Sequence, residues 1–304
     1  MMNAVTQQIK ELKKMKNAII LVHNYQPPDI QDIADFLGDS LGLSIEASRT
    51  NADIIVFCGV RFMAETAKIL SPNKVVLLPE KNAGCPMADT ITVQEVKKLK
   101  SEHPKAQVLA YVNTTADVKA ECDICCTSAN ALKIVTDGLK EIKEIIFIPD
   151  KNLANYVSRK TGRQFILWDG DCPIHAHILP EHIHFQKKLH PDALVVVHPE
   201  CLPEVIDLAD EVQSTEGMSR FIGQSKNSEF IIGTEVGILY RLRKENPEKN
   251  FYPASARAIC SDMKKITLEK VLYSLRFGYG EINLPETIRQ RAERSIQRML
   301  EYKS

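Results

Sequence analysis

The stretch His23-Asn-Tyr-Gln-Pro-Pro-Asp-Ile30 follows a short apolar run, and similar stretches occur twice more along the 304 residues of the chain. It aligns with Tyr111-Val-Asn-Thr-Thr-Ala-Asp-Val118 and with His198-Pro-Glu-Cys-Leu-Pro-Glu-Val205. These three stretches, called the strand-end motifs below, begin 88 and 87 positions apart. Because self-similarity at a fixed period indicates repeated structural units, the sequence predicts three similar units.

Two further markers keep the same period. A small hydroxyl residue follows the start of each strand-end motif by 17 positions, and a cysteine follows it by 61 or 62. The hydroxyl residues are Ser40, Ser128 and Thr215, and the cysteines are Cys85, Cys172 and Cys260. Agreement of three markers predicts domains at 1–85, 86–172 and 173–263, with C-terminal helices in 264–304 that belong to the first domain.

The apolar runs indicate the fold class. Runs such as Ala18-Ile-Ile-Leu-Val22 and Glu144-Ile-Ile-Phe-Ile148 are continuous, as in parallel strands that are buried on both faces. Helical patterns such as Met63-Ala-Glu-Thr-Ala-Lys-Ile-Leu70 lie between them. This alternation predicts an α/β fold of three domains related by a pseudo-threefold axis, each with a parallel sheet between helices.

The markers also predict where a ligand binds. Each strand-end motif, hydroxyl residue and cysteine is expected at the carboxyl end of a strand. Open α/β sheets bind their ligands at that edge. Three units that face one axis would therefore bring all nine marker positions to one central cavity.

Composition excludes several classes of partner. Lys plus Arg and Asp plus Glu are 39 each, and the pI is about 7.1, so no basic excess indicates nucleic acid or an anionic membrane. No apolar run approaches the ~20 residues that span a bilayer. We expect a cytoplasmic protein, in which the eight cysteines are buried, metal-binding or catalytic rather than disulfide-bonded.

Three thiolates at repeated positions indicate a metal site at Cys85, Cys172 and Cys260. Such a set can bind zinc with a water molecule, or a 4Fe–4S cluster through three of its irons. Three unrelated buried cysteines are the other alternative, which the repeat register disfavours. The closely spaced Cys122, Cys125 and Cys126 are assigned to packing. At two of these three positions, the equivalent residues of the other two units are small or apolar. The histidines in 175–184 fit no zinc spacing, and surface or supporting roles are expected for them.

The three hydroxyl residues each precede a helical pattern, which predicts that each is a helix N-cap. A helix N-terminus at the edge of a sheet also attracts anions through free N–H groups and the helix dipole. Three such sites around one cavity indicate a reaction that carries several anionic groups.

The motifs together resemble one known family. The resemblance is carried by these segments: His23-Asn-Tyr-Gln-Pro27, Ile33-Ala-Asp-Phe-Leu-Gly-Asp-Ser40, Phe62-Met-Ala-Glu-Thr-Ala67, Tyr111-Val-Asn113, Thr127-Ser-Ala-Asn130, Pro149-Asp-Lys-Asn-Leu-Ala154, His198-Pro-Glu-Cys201, Gly233-Thr-Glu235 and Phe251-Tyr-Pro253. Over nearly the whole chain they look like the quinolinate synthase (NadA) family. That resemblance implies a triangle of three α/β domains around a central active site.

The resemblance also implies an activity. Enzymes of this family condense iminoaspartate with dihydroxyacetone phosphate to give quinolinate, phosphate and water in de novo NAD biosynthesis. The implied cofactor is a 4Fe–4S cluster on Cys85, Cys172 and Cys260, with one iron open to substrate as a Lewis acid. The partners are then small molecules, together with a functional coupling to an oxidase or dehydrogenase of aspartate that supplies iminoaspartate.

The family's active-site positions fall on the repeat markers and their neighbours. The candidate catalytic residues are Tyr25, His23, Glu200, Tyr111 and Asn113. The candidate substrate-binding residues are His23, Ser40, Tyr111, Asn113, Ser128, His198, Glu200 and Thr215.

Two alternative functions differ from this one in their chemistry. Another iron–sulfur hydro-lyase of small polycarboxylates needs no phosphate site, and a structural or sensor protein with a three-cysteine metal site needs no strand-end residues.

Overall fold

The computed structural model describes residues 4–302, so the outermost residues of the predicted domain limits, 1–3 and 303–304, lie outside the described part. Three parallel four-stranded sheets form the framework. The strands of the first sheet are β1 (Ala18–His23), β2 (Phe36–Gly38), β3 (Ile54–Cys58) and β4 (Val75–Leu77). Those of the second are β5 (Gln107–Tyr111), β6 (Ile124–Cys126), β7 (Ile145–Ile148) and β8 (Ile166–Leu167). Those of the third are β9 (Leu194–Val197), β10 (Glu211–Val212), β11 (Glu229–Gly233) and β12 (Asn250–Pro253).

All three sheets have the same topology. In each, the first strand in sequence lies between the second and the third, and the fourth strand pairs with the third. All of these pairings are parallel. The prediction of an α/β fold built from three similar units is confirmed.

A repeated aspartate fixes the register of the outer strand in each unit. The Asp35 carboxylate accepts the N–H of Ile20 at 2.8 Å, and the Asp35 N–H donates to the Ile20 carbonyl. The second and third units make the same two bonds, between Asp123 and Val108 and between Asp210 and Val195. These aspartates are also 88 and 87 positions apart, so they are a fourth marker of the repeat.

Helices cover the sheets in a repeating order. Those of the first unit are α1 (Ala4–Met15), α2 (Pro28–Gln31), α3 (Ser40–Arg49) and α4 (Arg61–Leu70). Those of the second are α5 (Val93–Glu102), α6 (Ala116–Lys119), α7 (Ala131–Lys133) and α8 (Lys151–Thr161). Those of the third are α9 (Pro173–Ala176), α10 (Pro180–Leu189), α11 (Pro203–Ile206), α12 (Thr215–Gln224) and α13 (Ile238–Glu245). A 3₁₀ turn covers Ala88–Thr90, and a π turn at Ile134–Gly138 continues α7. Within residues 4–302, every helix is too short or too polar to cross a membrane.

The core lies between the sheets and their helices. The central strands contribute its fully buried side chains, among them Ile20, Ile55, Val108, Ile146 and Phe230. Because the runs are apolar on both faces, helices must pack on both sides of each sheet. Polar side chains that bind ligands are then expected at the edges of the sheets, where the strands end.

Two C-terminal helices complete the described chain. Helix α14 (Leu268–Phe277) packs on α1 and on β3 of the first unit. Helix α15 (Glu286–Leu300) contacts α4 of the first unit and also α6 and β6 of the second. Its buried face contains Ala292, Ser295 and Ile296. The domain boundaries remain a prediction, and α15 lies where the first and second units meet.

Candidate active site

One cavity of about 680 Å³, counted with its open mouth, lies where the three sheets present their carboxyl ends. His23 ends β1, Tyr111 ends β5, and His198 directly follows β9. The structure brings together all twelve predicted site residues, because the cavity is lined by His23, Tyr25, Ser40, Cys85, Tyr111, Asn113, Ser128, Cys172, His198, Glu200, Thr215 and Cys260. Their catalytic and binding roles remain predictions.

The two histidines of the strand-end motifs have the same surroundings. The Tyr25 N–H donates to His23 Nδ1 at 3.2 Å, and the Glu200 N–H donates to His198 Nδ1 at 3.3 Å. An Nδ1 that accepts a hydrogen bond places the ring proton on Nε2. Burial, with the nearby His198 and Lys264, lowers the pKa of His23 to about 3, and burial likewise lowers the pKa of His198 to about 3. Both rings are therefore neutral N–H donors at neutral pH.

This neutrality of His23 gives a prediction for stability against pH. Folded His23 keeps a pKa of about 3, whereas the unfolded chain takes up this proton near pH 6.5. The unfolded state therefore binds more protons as the pH falls below 6.5, and the free energy of unfolding decreases. At pH 5.5 the loss is about 1.4 kcal/mol for one such histidine.

Between pH 7.5 and 5.5, we expect the free energy of unfolding to decrease less in the variant His23→Gln than in the parent. The difference should be about 1.4 kcal/mol. Urea unfolding midpoints at the two pH values measure it. The exposed His184→Gln is the control and should keep the pH dependence of the parent. An unchanged pH dependence in His23→Gln would show that the buried ring takes up its proton as easily as in the unfolded chain.

A chain of hydrogen bonds crosses the cavity wall from Tyr25 to Glu200. Tyr25 Oη lies 2.6 Å from Thr234 Oγ1, Thr234 Oγ1 lies 2.8 Å from His175 Nε2, and His175 Nδ1 lies 2.8 Å from Glu200 Oε2. Tyr111 Oη donates to the other carboxylate oxygen, Glu200 Oε1. With Glu200 as the anion at the end, Tyr25 donates its O–H to Thr234, Thr234 donates its O–H to His175 Nε2, and His175 donates its Nδ1–H to Glu200.

Burial and neighbouring charged or hydrogen-bonding groups together set the protonation states along this chain. Burial opposes ionisation of Glu200, but the neighbouring His175 and His198 and the hydrogen bonds from His175 and Tyr111 lower its pKa. Burial and the Glu200 carboxylate raise the pKa of Tyr25 and of Tyr111 well above the usual range. The Glu200 carboxylate therefore accepts hydrogen bonds from the phenol of Tyr111 and the imidazole of His175, and the phenol of Tyr25 is linked to it through Thr234.

The three repeated cysteines differ from the packing cysteines. Cys85, Cys172 and Cys260 are partly exposed and line the cavity, whereas Cys125 and Cys126 are buried in β6. Cys122 is also partly exposed but is not among the residues that line the cavity. Burial raises the pKa of Cys85 to about 12, and it also raises that of Cys172 and Cys260. These thiols stay protonated unless a bound cation stabilises the thiolate.

One close group of metal-ligand atoms occurs within residues 4–302. Sulfur, imidazole and carboxylate donors of Cys172, His175 and Glu200 lie within 4.8 Å of one another, so these side chains could hold a metal ion. The three repeated cysteines do not form so close a group in the described chain. Thiolates on one tetrahedral zinc ion lie about 3.8 Å apart, so the wider spacing disfavours a three-cysteine zinc site.

The hydroxyl residues line the cavity, but the prediction that they are N-caps is wrong. Ser40 and Thr215 are the first residues of α3 and α12, and the caps are the preceding Asp39 and Ser214. Each cap side chain accepts the N–H of a glycine in the first turn. Helix α7 begins after Asn130, two residues beyond Ser128. Because the preceding side chains accept the N–H groups of the first turn, the hydroxyls of Ser40 and Thr215 are left free to face the cavity.

Two of these hydroxyls are oriented by their neighbours. Thr215 Oγ1 accepts a hydrogen bond of 2.9 Å from Asn24 Nδ2, and Ser128 Oγ lies 3.2 Å from His198 Nε2. Because the oxygen accepts in each pair, the hydroxyl proton remains available to a ligand. The Asn113 amide oxygen is buried and has no partner among the described residues, which also points to a ligand.

The histidine-rich segment contains a site residue that the sequence analysis did not identify. His175 is 2% exposed and stacks on His198 with ring centroids 4.7 Å apart. Of the two roles expected for these histidines, the supporting one fits the buried His175, and the surface one fits His177 and His184, which are exposed. Thr234 was also missed. A signal existed for both, because His175 follows Cys172 by three positions and Thr234 directly follows β11.

The fold and cavity define a class of protein: an α/β enzyme of three repeated units, whose central site combines thiols, a carboxylate and neutral proton donors. Comparison with known families specifies it further, since the model of "Quinolinate synthetase A protein" matches residues 7–301. The chain belongs to the quinolinate synthase family, which confirms the predicted family and the prediction that it is an enzyme.

Curated relatives carry the same name. The quinolinate synthase of Thermodesulfovibrio yellowstonii is 56% identical over 301 residues, which cover 99% of both chains. That of Desulforudis audaxviator is 54% identical over 293 residues and 96% of both chains. Quinolinate synthase 1 of Methanosarcina acetivorans is 51% identical over 296 residues and 97% of both chains.

Proposed function

We propose that this enzyme condenses iminoaspartate with dihydroxyacetone phosphate to give quinolinate, phosphate and water, as a step of NAD biosynthesis. One observation carries the proposal. Twelve residues spread from 23 to 260, chosen from the sequence alone, line a single cavity. A structural metal protein would give no reason for the strand-end residues and the hydroxyls to converge with the cysteines. A hydro-lyase of small polycarboxylates would need no third anion site for a phosphate.

The donor set supports a 4Fe–4S cluster on Cys85, Cys172 and Cys260. These cysteines come from three units, are partly exposed to one cavity, and are spaced more widely than the ligands of a single ion. Thiolates are the usual ligands of iron–sulfur clusters. A cluster with three cysteine ligands supplies a Lewis acid, the iron without a protein ligand, which polarises a hydroxyl or carbonyl oxygen.

We propose that Tyr25 removes a proton from the substrate. If its oxygen accepts that proton, its own O–H proton moves to Thr234, and the Thr234 proton moves to His175 Nε2. The imidazolium so formed is stabilised by the Glu200 carboxylate 2.8 Å away. We propose that this chain serves the isomerisation of dihydroxyacetone phosphate and the loss of phosphate, which need a base near a C–H bond.

The remaining side chains supply hydrogen bonds. His23 presents a neutral Nε2–H donor to the oxygen of the departing phosphate. We propose that Tyr111 and Asn113 orient the groups lost as water, and that Glu200 with His198 serves the later proton transfers. Since no lysine or arginine is among the described residues that line the cavity, Ser40, Ser128 and Thr215 with their helix N-termini are proposed to hold the phosphate and the two carboxylates.

The three hydroxyl sites give a prediction. Ser40→Ala, Ser128→Ala and Thr215→Ala should each raise an apparent substrate constant by about 10–100-fold, since a hydrogen bond to a charged group contributes about 1.5–3 kcal/mol. The substrates are not threefold symmetric, so at least one variant should impair dihydroxyacetone phosphate selectively. Steady-state kinetics with each substrate varied separately measures the effect.

The adjacent cap Ser214→Ala is the control for this prediction. It should lower the free energy of unfolding by about 1 kcal/mol and leave both substrate constants near those of the parent. Unchanged constants in all three hydroxyl variants would contradict an anion-binding role for these residues.

The function itself is tested on anaerobically purified protein. We expect a brown protein with about four irons per chain, which forms quinolinate and inorganic phosphate in equal amounts from the two substrates. A colourless zinc protein would contradict the cofactor. A cluster-containing protein that dehydrates a polycarboxylate and releases no phosphate from dihydroxyacetone phosphate would contradict the reaction.

A further inference from the structure

A repeated backbone hydrogen bond holds the loop in front of each cysteine. In every unit, a residue three positions after the third strand donates its N–H to a carbonyl two positions before the cysteine. The pairs are Arg61 with Ala83 at 2.8 Å, Lys151 with Gly170 at 2.8 Å, and Val236 with Ala258 at 3.0 Å. The three cysteine loops, 83–85, 170–172 and 258–260, are therefore attached to their sheets in the same way.

Two of the three units add a buried carboxylate at this junction. The residue just before the N–H donor is Asp150 in the second unit and Glu235 in the third, and both side chains are fully buried. Asp150 Oδ2 accepts the N–H of Cys172 at 3.2 Å, and Glu235 Oε1 accepts the N–H of Cys260 at 3.1 Å. Each acid thus bonds the backbone of the cysteine itself.

The other bonds of these carboxylates leave them little capacity for chemistry. Asp150 Oδ1 accepts the N–H of Leu153 at 2.7 Å in the first turn of α8. Glu235 Oε2 accepts the N–H of Gly237 at 2.7 Å, and Glu235 Oε1 also pairs with Lys264 Nζ at 2.9 Å. Every oxygen of the two acids thus has a partner within the protein. Asp150 is not among the residues that line the cavity, whereas Glu235 lines it with both oxygens already bonded.

The first unit is built differently. Val60 occupies the position of the acid and cannot accept a hydrogen bond with its side chain. The loop of Cys85 is held instead from the third unit, since Asp262 Oδ1 accepts the N–H of Gly84 at 3.0 Å. Asp262 lies two positions after Cys260, so the third cysteine loop supports the first.

We propose that Asp150 and Glu235 are positioning residues for the metal ligands Cys172 and Cys260, an inference that rests on the proposed cluster. Each carboxylate fixes the cysteine amide, and with it the direction of the Cα–Cβ bond, before the metal binds. Loss of the carboxylate frees the loop, so that the thiolate no longer meets the iron in a preformed geometry. Residues that orient metal ligands typically affect metal affinity by about 10–100-fold.

The experiment uses anaerobically purified holoenzyme and the variants Asp150→Asn and Glu235→Gln. Both substitutions keep the size of the side chain and exchange one of its two acceptor oxygens for an NH₂ group. The side chain can then no longer accept both of its backbone N–H bonds, that of the cysteine included. Asparagine is also a good N-cap, so the start of α8 is preserved. The readout is the rate at which the visible iron–sulfur absorption decays in excess iron chelator. Thermal unfolding of each apoprotein is recorded beside it.

Glu65→Gln is the matched control. Glu65 is also a buried glutamate that pairs with a basic side chain, Arg61, at 2.9 Å and accepts a backbone N–H, that of Ala116, at 2.9 Å. Its partner Arg61 holds the loop of Cys85 through the backbone N–H, a bond that Glu65→Gln leaves in place. We expect the cluster to decay about 10–100-fold faster in Asp150→Asn and Glu235→Gln than in the parent, and at the parental rate in Glu65→Gln.

Parental decay rates in both variants would overturn the inference, and so would equal acceleration in all three, which would indicate general destabilisation. If either variant fails to fold, the comparison of the other with Glu65→Gln decides the question. A parent protein that holds no cluster would reject the proposed function and this inference with it. The parent alone therefore distinguishes the two failures.

Discussion

Replacing Cys85, Cys172 or Cys260 by alanine is expected to give a colourless protein under anaerobic purification. The three thiols come from three separate units, and no cysteine outside this set is among the described residues that line the cavity. Two remaining ligands would hold the cluster at only two of its irons. Visible absorption and iron content should therefore fall to background in each variant, while the far-ultraviolet circular dichroism stays that of a folded α/β protein.

Cys125→Ala provides the control for these three variants. Cys125 is fully buried in β6 and its sulfur lies 3.4 Å from Ser295 Oγ, so its removal disturbs packing and leaves the cavity intact. The variant should keep its colour and lose about 1 kcal/mol of stability. Loss of the cluster in a folded Cys125→Ala protein, together with its retention in Cys85→Ala, would contradict the assignment of the repeated cysteines as its ligands.

The period of the sequence predicted the three units and the cavity because it records positions that are equivalent in space. His23, Tyr111 and His198 are equivalent residues at the ends of equivalent strands, so their equal spacing was enough to place them at one site. The family resemblance then added the activity, which no period can supply.

A period cannot identify residues that occur in one unit only. His175 lies three positions after Cys172, where the other units have Ala88 and Met263, and Thr234 has no hydroxyl counterpart in the first two units. Their roles depend on side chains from different units that meet in the folded chain. The sequence alone therefore did not include them among the site residues.

Helix starts were misplaced for a local reason. Asp39 and Ser40 are both good capping residues, and so are Ser214 and Thr215. Composition does not decide between adjacent candidates. The cap is the last residue with extended backbone geometry before the helix, and in both helices that is the earlier of the two candidates.

Tyr25→Phe and Glu200→Gln are expected to lower turnover by about 10²–10⁴-fold, the range typical of a lost general acid or base. Tyr25→Phe removes the oxygen that accepts the substrate proton. Glu200→Gln removes the anion that stabilises a protonated His175, since a neutral amide cannot offset the positive charge. Both changes nearly conserve shape, so cluster absorption and thermal unfolding should remain close to those of the parent.

The structure supplies matched controls for each change. Tyr156→Phe alters a mostly buried tyrosine that is not among the residues lining the cavity, and Glu65→Gln alters a buried glutamate that pairs with Arg61. Both controls should turn over at rates near that of the parent. Near-parental turnover in Tyr25→Phe and Glu200→Gln as well would rule out the proton-transfer roles.

The double variant Tyr25→Phe/Glu200→Gln distinguishes one chain from two independent groups. If Tyr25 passes its proton through Thr234 and His175 to a site stabilised by Glu200, either single change already disables the whole chain. The double variant should then be no slower than the slower single variant, within a few-fold. If the two residues served separate steps of the same rate-limiting barrier, the losses would multiply to about 10⁴–10⁸-fold. Single-turnover rates of the holoenzymes measure this difference, and multiplied losses would contradict the hydrogen-bonded chain as the path of the proton.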